Sequence, residues 1–234
     1  MSWRSVVVIS LVVAVAALFL AFPADSSAAP RPVKPIVLQP GEQYYGKTYN
    51  ELAGDWWNWA LQFPEATNPV MDETGEFGAL GQVGNIWFLA GTFGGDRERY
   101  LTVPPGKALF VPILNSIWWT PEDGGGSVEG CRAGANASIN AGKDLWCTID
   151  GQPVADIYAY RAQSPAGGFP FAILEGSILD DWGYTPRPAA PAVADGVWLL
   201  VDRLVPGGHT IAFHAAGDGF EVTVTYHLTV GVLQ

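Results

Sequence analysis

The chain has 234 residues, a formal net charge of −11 and ten tryptophans. Because 49% of its residues are hydrophobic and only 15% are charged, the composition excludes an intrinsically disordered protein. The acidity also excludes the basic surface that nucleic-acid binding requires, so no nucleic-acid partner is predicted. The length is sufficient for one sizeable hydrophobic core.

Residues 1–28 are predicted to be a signal peptide. Arg4 precedes an uncharged apolar stretch from Val6 to Phe22, and the small residues that follow suit cleavage after Ala28. An uncleaved anchor is the alternative, although a membrane-spanning helix usually needs ~20 apolar residues. We therefore expect a protein of the cell exterior, periplasm or cell envelope, which contacts a membrane only through this segment if the segment is retained.

The mature chain is predicted to consist of an arm and one domain. Residues 29–44 are rich in proline, which favours an extended arm rather than a packed element. Residues 45–234 contain no internal repeat and no linker, so they are expected to form a single domain.

One amphipathic helix is predicted at about residues 49–63, near the start of this domain. Leu52, Trp56, Trp59 and Phe63 recur at a spacing that places them on one helical face. The helix is expected to begin with Asn50 as its cap and to end before a proline at position 64.

From residue 86 onward, short apolar stretches alternate with glycine and proline turns, which is typical of β-structure. Pro112 implies an edge strand or a bulge, and residues 183–195 are predicted to be a proline-rich loop. A hairpin closed at residues 217–219 would pair Ala215 with Phe220 and separate an apolar face from a polar one. The predicted fold is mainly β, an antiparallel β-sandwich or jelly roll with one N-terminal amphipathic helix.

The chain has two cysteines, Cys131 and Cys147. In an exported protein the default expectation is that they form a disulfide bond. Two cysteines without a nearby histidine make a structural zinc site improbable, and no metal or cofactor is predicted.

Several motifs follow one another along residues 45–230. They are Trp57-x-Trp59, Asn68-Pro69-x-x-Asp72-x-x-Gly75, Gly81-Gln82-x-Gly84-x-x-Trp87-Phe88-Leu89-Ala90-Gly91-Thr92-Phe93-Gly94-Gly95, Pro104-x-Gly106-Lys107-Ala108-Leu109-Phe110, Pro112-x-x-Asn115, Gly208-His209-Thr210-Ile211 and Val224-Thr225-Tyr226-His227-Leu228-Thr229-Val230. On these residues the mature chain resembles a family of exported bacterial proteins without an established activity. The resemblance implies export and a single β-rich domain, and it supplies no catalytic residue.

Two groups of side chains are candidates for acid–base catalysis. Glu175, Asp180 and Asp181 precede a tryptophan, and hydrolysis of a glycan needs two carboxylates on either side of the scissile bond. His214 and Glu221 face each other across the predicted hairpin and would suit an acid–base dyad. Solvated turns and a solvated polar sheet face are the alternatives for the two groups.

Tryptophan is the most informative residue type for ligand binding in this chain. Trp118 and Trp119 end a predicted strand beside an acidic glycine-rich loop, and adjacent side chains of a strand point to opposite faces. An exposed tryptophan beside polar groups is suited to hold a glycan or another flat ligand. The candidate ligand-binding residues are Trp57, Asn115, Trp118, Trp119 and Trp182.

Three functions are therefore open at this point. The first is binding of a small molecule or a glycan, the second is a glycan hydrolase or lyase that uses a carboxylate pair, and the third is a structural protein of the cell envelope. The sequence does not determine the oligomeric state.

Overall fold

A computed structural model describes residues 35–202 and 204–231, and the predicted signal peptide and residues 29–34 of the predicted arm lie outside these ranges. The described elements are β1 (Ile36–Leu38), α1 (Tyr49–Ala60), β2 (Ile86–Phe88), β3 (Gly95–Val103), β4 (Ala108–Trp119), α2 (Val128–Asn140), β5 (Lys143–Ile149), β6 (Gln152–Pro153), β7 (Arg161–Gln163), β8 (Phe169–Ile173), α3 (Ile178–Asp181), β9 (Arg187–Asp202), β10 (Gly207–Gly217) and β11 (Phe220–Val230).

Sheet I is built around the long strand β9. One edge of β9 pairs with β4, which in turn pairs with β2. The other edge of β9 pairs in succession with β8, β7 and β1 along its length. The pairing between β4 and β9 shifts register between Pro112 and Leu114, so the proline lies at a bulge.

Sheet II has the strand order β3-β11-β10-β5-β6. Its centre is the hairpin of β10 and β11, in which Gly217 pairs with Phe220. Strand β3 adds to β11 in parallel, with Tyr226 opposite Arg99.

The two sheets pack face to face through an apolar core. The core contains Leu109 and Leu199 from sheet I and Phe213, Val224 and Tyr226 from sheet II. The opposite face of sheet I is covered by α1, where Trp56 packs on Trp198 with ring centroids 5.5 Å apart. Sheet I is therefore covered on both sides, whereas one side of sheet II is not covered by any element of residues 35–202 and 204–231.

The N-cap of helix α1 lies two residues earlier than the sequence predicted. Thr48, not Asn50, is the N-cap, and it forms a capping box with Glu51. The Asn50 amide instead donates to the carbonyl of Gln163. The helix ends at Ala60, three residues before the predicted end.

The structure corrects three features of the predicted β-architecture. The sheets are mixed rather than wholly antiparallel, because β2–β4 and β3–β11 are parallel pairs. Residues 36–38 of the predicted arm form an edge strand, since the extended backbone that proline favours can also pair with an open sheet edge. Residues 187–195 of the predicted loop belong to β9. Proline is tolerated in this strand because Pro191, which has no N–H to donate, stands opposite Pro170 of the short flanking strand β8.

Among residues 35–202 and 204–231, no helix combines the length and apolarity needed to cross a membrane.

Candidate functional site

The outward surface of sheet II is the largest sheet face that no other described element covers. We call it the outer face and define it by the outward positions of four strands. Its side chains are threonines, carboxylates and two aromatic rings that each lie beside a histidine. The positions are Asp96, Glu98, Tyr100 and Thr102 of β3, Trp146 and Thr148 of β5, Thr210, Ala212 and His214 of β10, and Glu221, Thr223, Thr225, His227 and Thr229 of β11.

The first aromatic ring on the outer face belongs to Trp146, whose residue surface is 42% exposed. Its ring lies nearly parallel to that of His214, with an interplanar angle of 11° and centroids 5.7 Å apart. His214 in turn contacts the hydroxyl of Thr223 through Nδ1 at 3.2 Å. A polar contact on the neighbouring strand thus holds the histidine beside the tryptophan, and the two rings form one flat unit.

The second unit repeats this arrangement on the neighbouring strand pair. Tyr100, which is 63% exposed, stacks on His227 with centroids 4.7 Å apart and an angle of 17°. His227 Nε2 lies 2.8 Å from the Glu98 carboxylate, and the Tyr100 hydroxyl donates to the same carboxylate at 3.2 Å. The negative charge of Glu98 raises the pKa of the Tyr100 hydroxyl, so this group keeps its proton and remains a donor.

A depression of about 420 Å³ lies beside the second unit. Gly208 contributes no side chain there, and the walls include Tyr100 and His227 with the hydroxyls of Thr102 and Thr229. The depression therefore combines an aromatic wall with several hydrogen-bonding groups.

The two units are too far apart for one small ligand. Trp146 stands in register with Asp96 across three strand spacings, and Tyr100 lies four residues further along β3. With ~4.8 Å between strands and ~3.4 Å per residue, the separation is roughly 20 Å. A ligand that contacts both units must be extended.

Arg99 anchors β3 from the inner side. Its guanidinium is 1% exposed and donates to the carbonyls of Val70, Asp72, Ala90 and Gly91, and to the hydroxyl of Tyr226. Because side chains alternate along a strand, this inward anchor points Glu98 and Tyr100 outward.

The tryptophans predicted from sequence do not form one site. Trp118 and Trp119 point to opposite faces of sheet I, as their adjacency predicts: Trp118 packs against Gly134 beneath α2, and Trp119 packs against Phe171 on the α1 side. Trp57 is buried against Trp56.

Trp182 is 43% exposed and lies apart from these residues, in contact with Phe93 at 5.3 Å. Its ring N–H donates to Glu65.

Three of the predicted ligand-binding residues carry buried nitrogen atoms without a partner in the described part of the chain. They are Trp57 Nε1, Asn115 Nδ2 and Trp119 Nε1. Asn115 is half-buried in β4, in register with Gly196. It also lines a cleft of about 300 Å³ between β4, the end of α2 and the β10–β11 turn.

Two of the three carboxylates predicted as catalytic accept hydrogen bonds from backbone amides. Asp180 accepts a hydrogen bond from the Gly176 amide, and Asp181 accepts one from the Glu65 amide, each at 2.8 Å. Glu175 is exposed on the turn before α3. The carboxylates of Asp180 and Asp181 thus fix local chain turns around α3.

The predicted dyad of His214 and Glu221 is wrong. The hairpin register differs by two residues from the expected one, so His214 pairs with Thr223 and Glu221 pairs with Ala216. The turn consists of Asp218 and Gly219, and pairing begins at Gly217 rather than at Ala215. A shift of two residues preserves which side chains share a face, so both residues still point outward.

The predicted disulfide bond is absent, and both cysteines are free. Cys131 packs with Ala135 and Val193 beneath α2, whereas Cys147 belongs to the core between the two sheets. The two thiols therefore lie in different apolar clusters. Burial raises the pKa of the Cys147 thiol to about 12, and burial together with the charge of Asp123 raises that of Cys131.

Sequence reasoning missed Trp146 and Tyr100. For Trp146, the sequence of β5 contains the evidence, because inward and outward side chains alternate along a strand. Leu145 and Cys147, on either side of Trp146, are core residues, so Trp146 points outward. A tryptophan on the polar side of an alternating strand is an exposed aromatic residue.

A second concave surface, a groove of about 650 Å³, runs alongside α1. Its floor includes Leu52, Trp59 and Phe88, and its rim carries the ion pair of Lys47 and Asp55 at 2.9 Å. Two aromatic residues of the floor, Trp59 and Phe88, pack on each other, and the buried Trp59 donates its ring N–H to the Leu80 carbonyl.

The lining of this groove also includes Tyr45, which is 46% exposed and whose hydroxyl donates to Asp202 at 3.0 Å. The groove thus has an exposed aromatic ring, but its lining among the described residues includes no histidine, whereas each ring of the outer face lies beside one.

Within residues 35–202 and 204–231, no three histidine, cysteine or acidic side chains converge so as to hold a metal ion. The sequence matches no protein-family model, no curated protein and no solved structure.

Proposed function

We propose that this protein binds a glycan chain through the outer face of sheet II. The observation that carries the proposal is the repetition of one unit, an exposed aromatic ring held flat beside a histidine, at two points of one polar sheet face. Sugar rings present an apolar C–H surface that packs on aromatic rings, and their hydroxyls bond to polar groups around those rings.

The distribution of polar groups supports the same conclusion. Six threonine hydroxyls lie on the outer face, at positions 102, 148, 210, 223, 225 and 229. Hydroxyls both donate and accept, so they can match sugar hydroxyls in either role. The separation of roughly 20 Å between the two units favours a chain of several sugar residues over a monosaccharide.

The direct test removes one aromatic ring at a time. Trp146→Ala and Tyr100→Ala are compared with the unchanged protein by calorimetric titration against soluble oligosaccharides and by sedimentation with insoluble polysaccharides. Each substitution is expected to cost about 1 kcal/mol of binding free energy, a fivefold to tenfold loss of affinity. The double variant is expected to lose detectable binding.

Trp182→Ala is the matched control, because Trp182 is as exposed as Trp146 and lies on a different surface. It should bind as the unchanged protein does. The proposal is wrong if Trp146→Ala retains full affinity, or if Trp182→Ala loses as much as Trp146→Ala.

A further inference from the structure

We propose that the glycan bound by the outer face is cationic, an amino-sugar polymer with free ammonium groups. This inference rests on the proposed function and concerns the charge of the ligand. The charged side chains among the defined outward positions are Asp96, Glu98 and Glu221, and one lysine, Lys143, stands in register with Glu221 at the end of the face. Three carboxylates and one lysine give this surface a net negative charge. The face thus offers an ammonium group attraction and offers an anionic glycan repulsion.

A carboxylate stands close to each aromatic unit. Glu98 touches both rings of the second unit, at His227 and at the Tyr100 hydroxyl. Glu221 lies two residues from Thr223 on the same side of β11, which is roughly 7 Å along the strand from the contact that holds the first unit. A polymer that spans both units therefore brings amino groups near a carboxylate at each end of its path.

The aromatic rings favour the same class of ligand. The faces of tryptophan and tyrosine rings carry negative electrostatic potential, so they attract a cation as well as an apolar C–H surface. An amino sugar presents both features at one ring.

One basic residue of the described chain shares the register of these carboxylates. Lys143 pairs with Ala216, which in turn pairs with Glu221, so Lys143 lies two strand spacings, roughly 10 Å, from Glu221, and the three carboxylates outnumber it. Arg97 belongs to the opposite side of β3 and donates to the Asp96 carbonyl. Further basic residues are engaged away from the outer face, in contacts that include Lys47 with Asp55, Arg161 with Asp195 and Arg187 with Glu122.

The test uses two ligands of the same backbone that differ in N-acetylation and therefore in charge, and the salt dependence isolates the effect of charge. An oligosaccharide of glucosamine and its fully N-acetylated counterpart of the same length are titrated into the protein at low and at high salt. The unchanged protein is expected to bind the free-amine form more tightly at low salt, and this preference should shrink as salt screens the carboxylates. In Asp96→Asn/Glu221→Gln the ratio of the two affinities should fall by about fivefold per carboxylate, the scale of a charge pair near 4 Å in water.

Glu175→Gln/Glu129→Gln removes the same net charge away from the outer face and is the matched control. Both of these glutamates are exposed, so neither substitution disturbs the core. The control should leave the affinity ratio unchanged, which separates a local charge effect from the effect of net charge.

The outcomes distinguish the two proposals. If both oligosaccharides bind equally and the ratio is the same in Asp96→Asn/Glu221→Gln, the inference about charge is overturned while the glycan site stands. If neither oligosaccharide nor any neutral glycan binds, both proposals are overturned. A preference for the acetylated form likewise overturns the inference about charge.

Discussion

Arg99 is the residue whose replacement tests most directly how the interior supports the outer face. In Arg99→Met, the carbonyls of Val70, Asp72 and Gly91 lose the hydrogen bonds that the guanidinium donates, while that of Ala90 keeps its bond from Tyr226. Each buried acceptor left without a partner costs about 1–3 kcal/mol. Three such groups would cost roughly 3–9 kcal/mol, and removing a buried charge recovers part of this because its desolvation is no longer required.

We therefore expect the free energy of unfolding to fall by about 3–5 kcal/mol in Arg99→Met. Urea denaturation followed by circular dichroism and by tryptophan fluorescence measures the change. Arg132→Met is the matched control, because Arg132 donates to three backbone carbonyls and one side-chain oxygen, a set similar to that of Arg99, but lies near the surface. It should cost at most about 1 kcal/mol.

A loss below 1 kcal/mol in Arg99→Met would refute the reasoning. An equal loss in both variants would refute it as well, since burial would then not decide the cost. Because Arg99 anchors β3, and β3 carries Glu98 and Tyr100 on its outward side, we also expect any Arg99→Met protein that stays folded to bind glycan more weakly.

The remaining predictions concern one ion pair, the two thiols and one carboxylate. Asp195 is 1% exposed and forms a bidentate pair with Arg161, whose side chain is 32% exposed, so Asp195→Ala should lower the free energy of unfolding by about 1.5–3 kcal/mol in urea denaturation, and a loss under 1 kcal/mol would contradict a stabilising pair. Cys131 and Cys147 should react with iodoacetamide slowly in the folded protein and fully in denaturant, with two thiols per chain by mass; a protein that yields no free thiol would contradict their separation. Burial pushes the pKa of Asp72 upward, but hydrogen bonds from three backbone amides outweigh it and lower the pKa. This carboxylate therefore stabilises the fold above its ordinary pKa of about 3.9, and the stability gap between the unchanged protein and Asp72→Asn should close as pH falls below that value; a gap that is constant with pH would contradict the assignment.

The proposed function depends on a surface that composition alone describes poorly. The acidity of the chain predicts only that anionic partners are disfavoured. The positions of the acidic side chains matter more for the proposed binding. The fold brings Asp96, Glu98 and Glu221 together on one sheet face with Trp146 and Tyr100.

The sequence by itself determined features that arise from residues close together in the chain, namely the apolar stripe of a helix and the two faces of a hairpin. The apolar stripe of α1 appears where its spacing predicted it, because Leu52, Trp56 and Trp59 recur with the helical period. The same holds for the two faces of the β10–β11 hairpin, where Phe213 and Val224 are buried and their neighbours point outward.

Only the tertiary structure decided which distant segments meet. The hairpin register depended on whether Gly217 joins the turn or the strand, and a shift of two residues removed the predicted contact of His214 with Glu221. The parallel pairing of β3 with β11 places Tyr100 beside His227, 127 positions apart in the chain, and no local pattern encodes that choice.

The cysteines illustrate the same division. The predicted export made a disulfide the default expectation for two cysteines, yet one thiol lies beneath α2 and the other lies between the sheets. Alternation of polar and apolar residues, read one strand at a time, determined which side chains face outward. The pairing of strands, which is set by packing across the whole core, determined which of those side chains form a surface together.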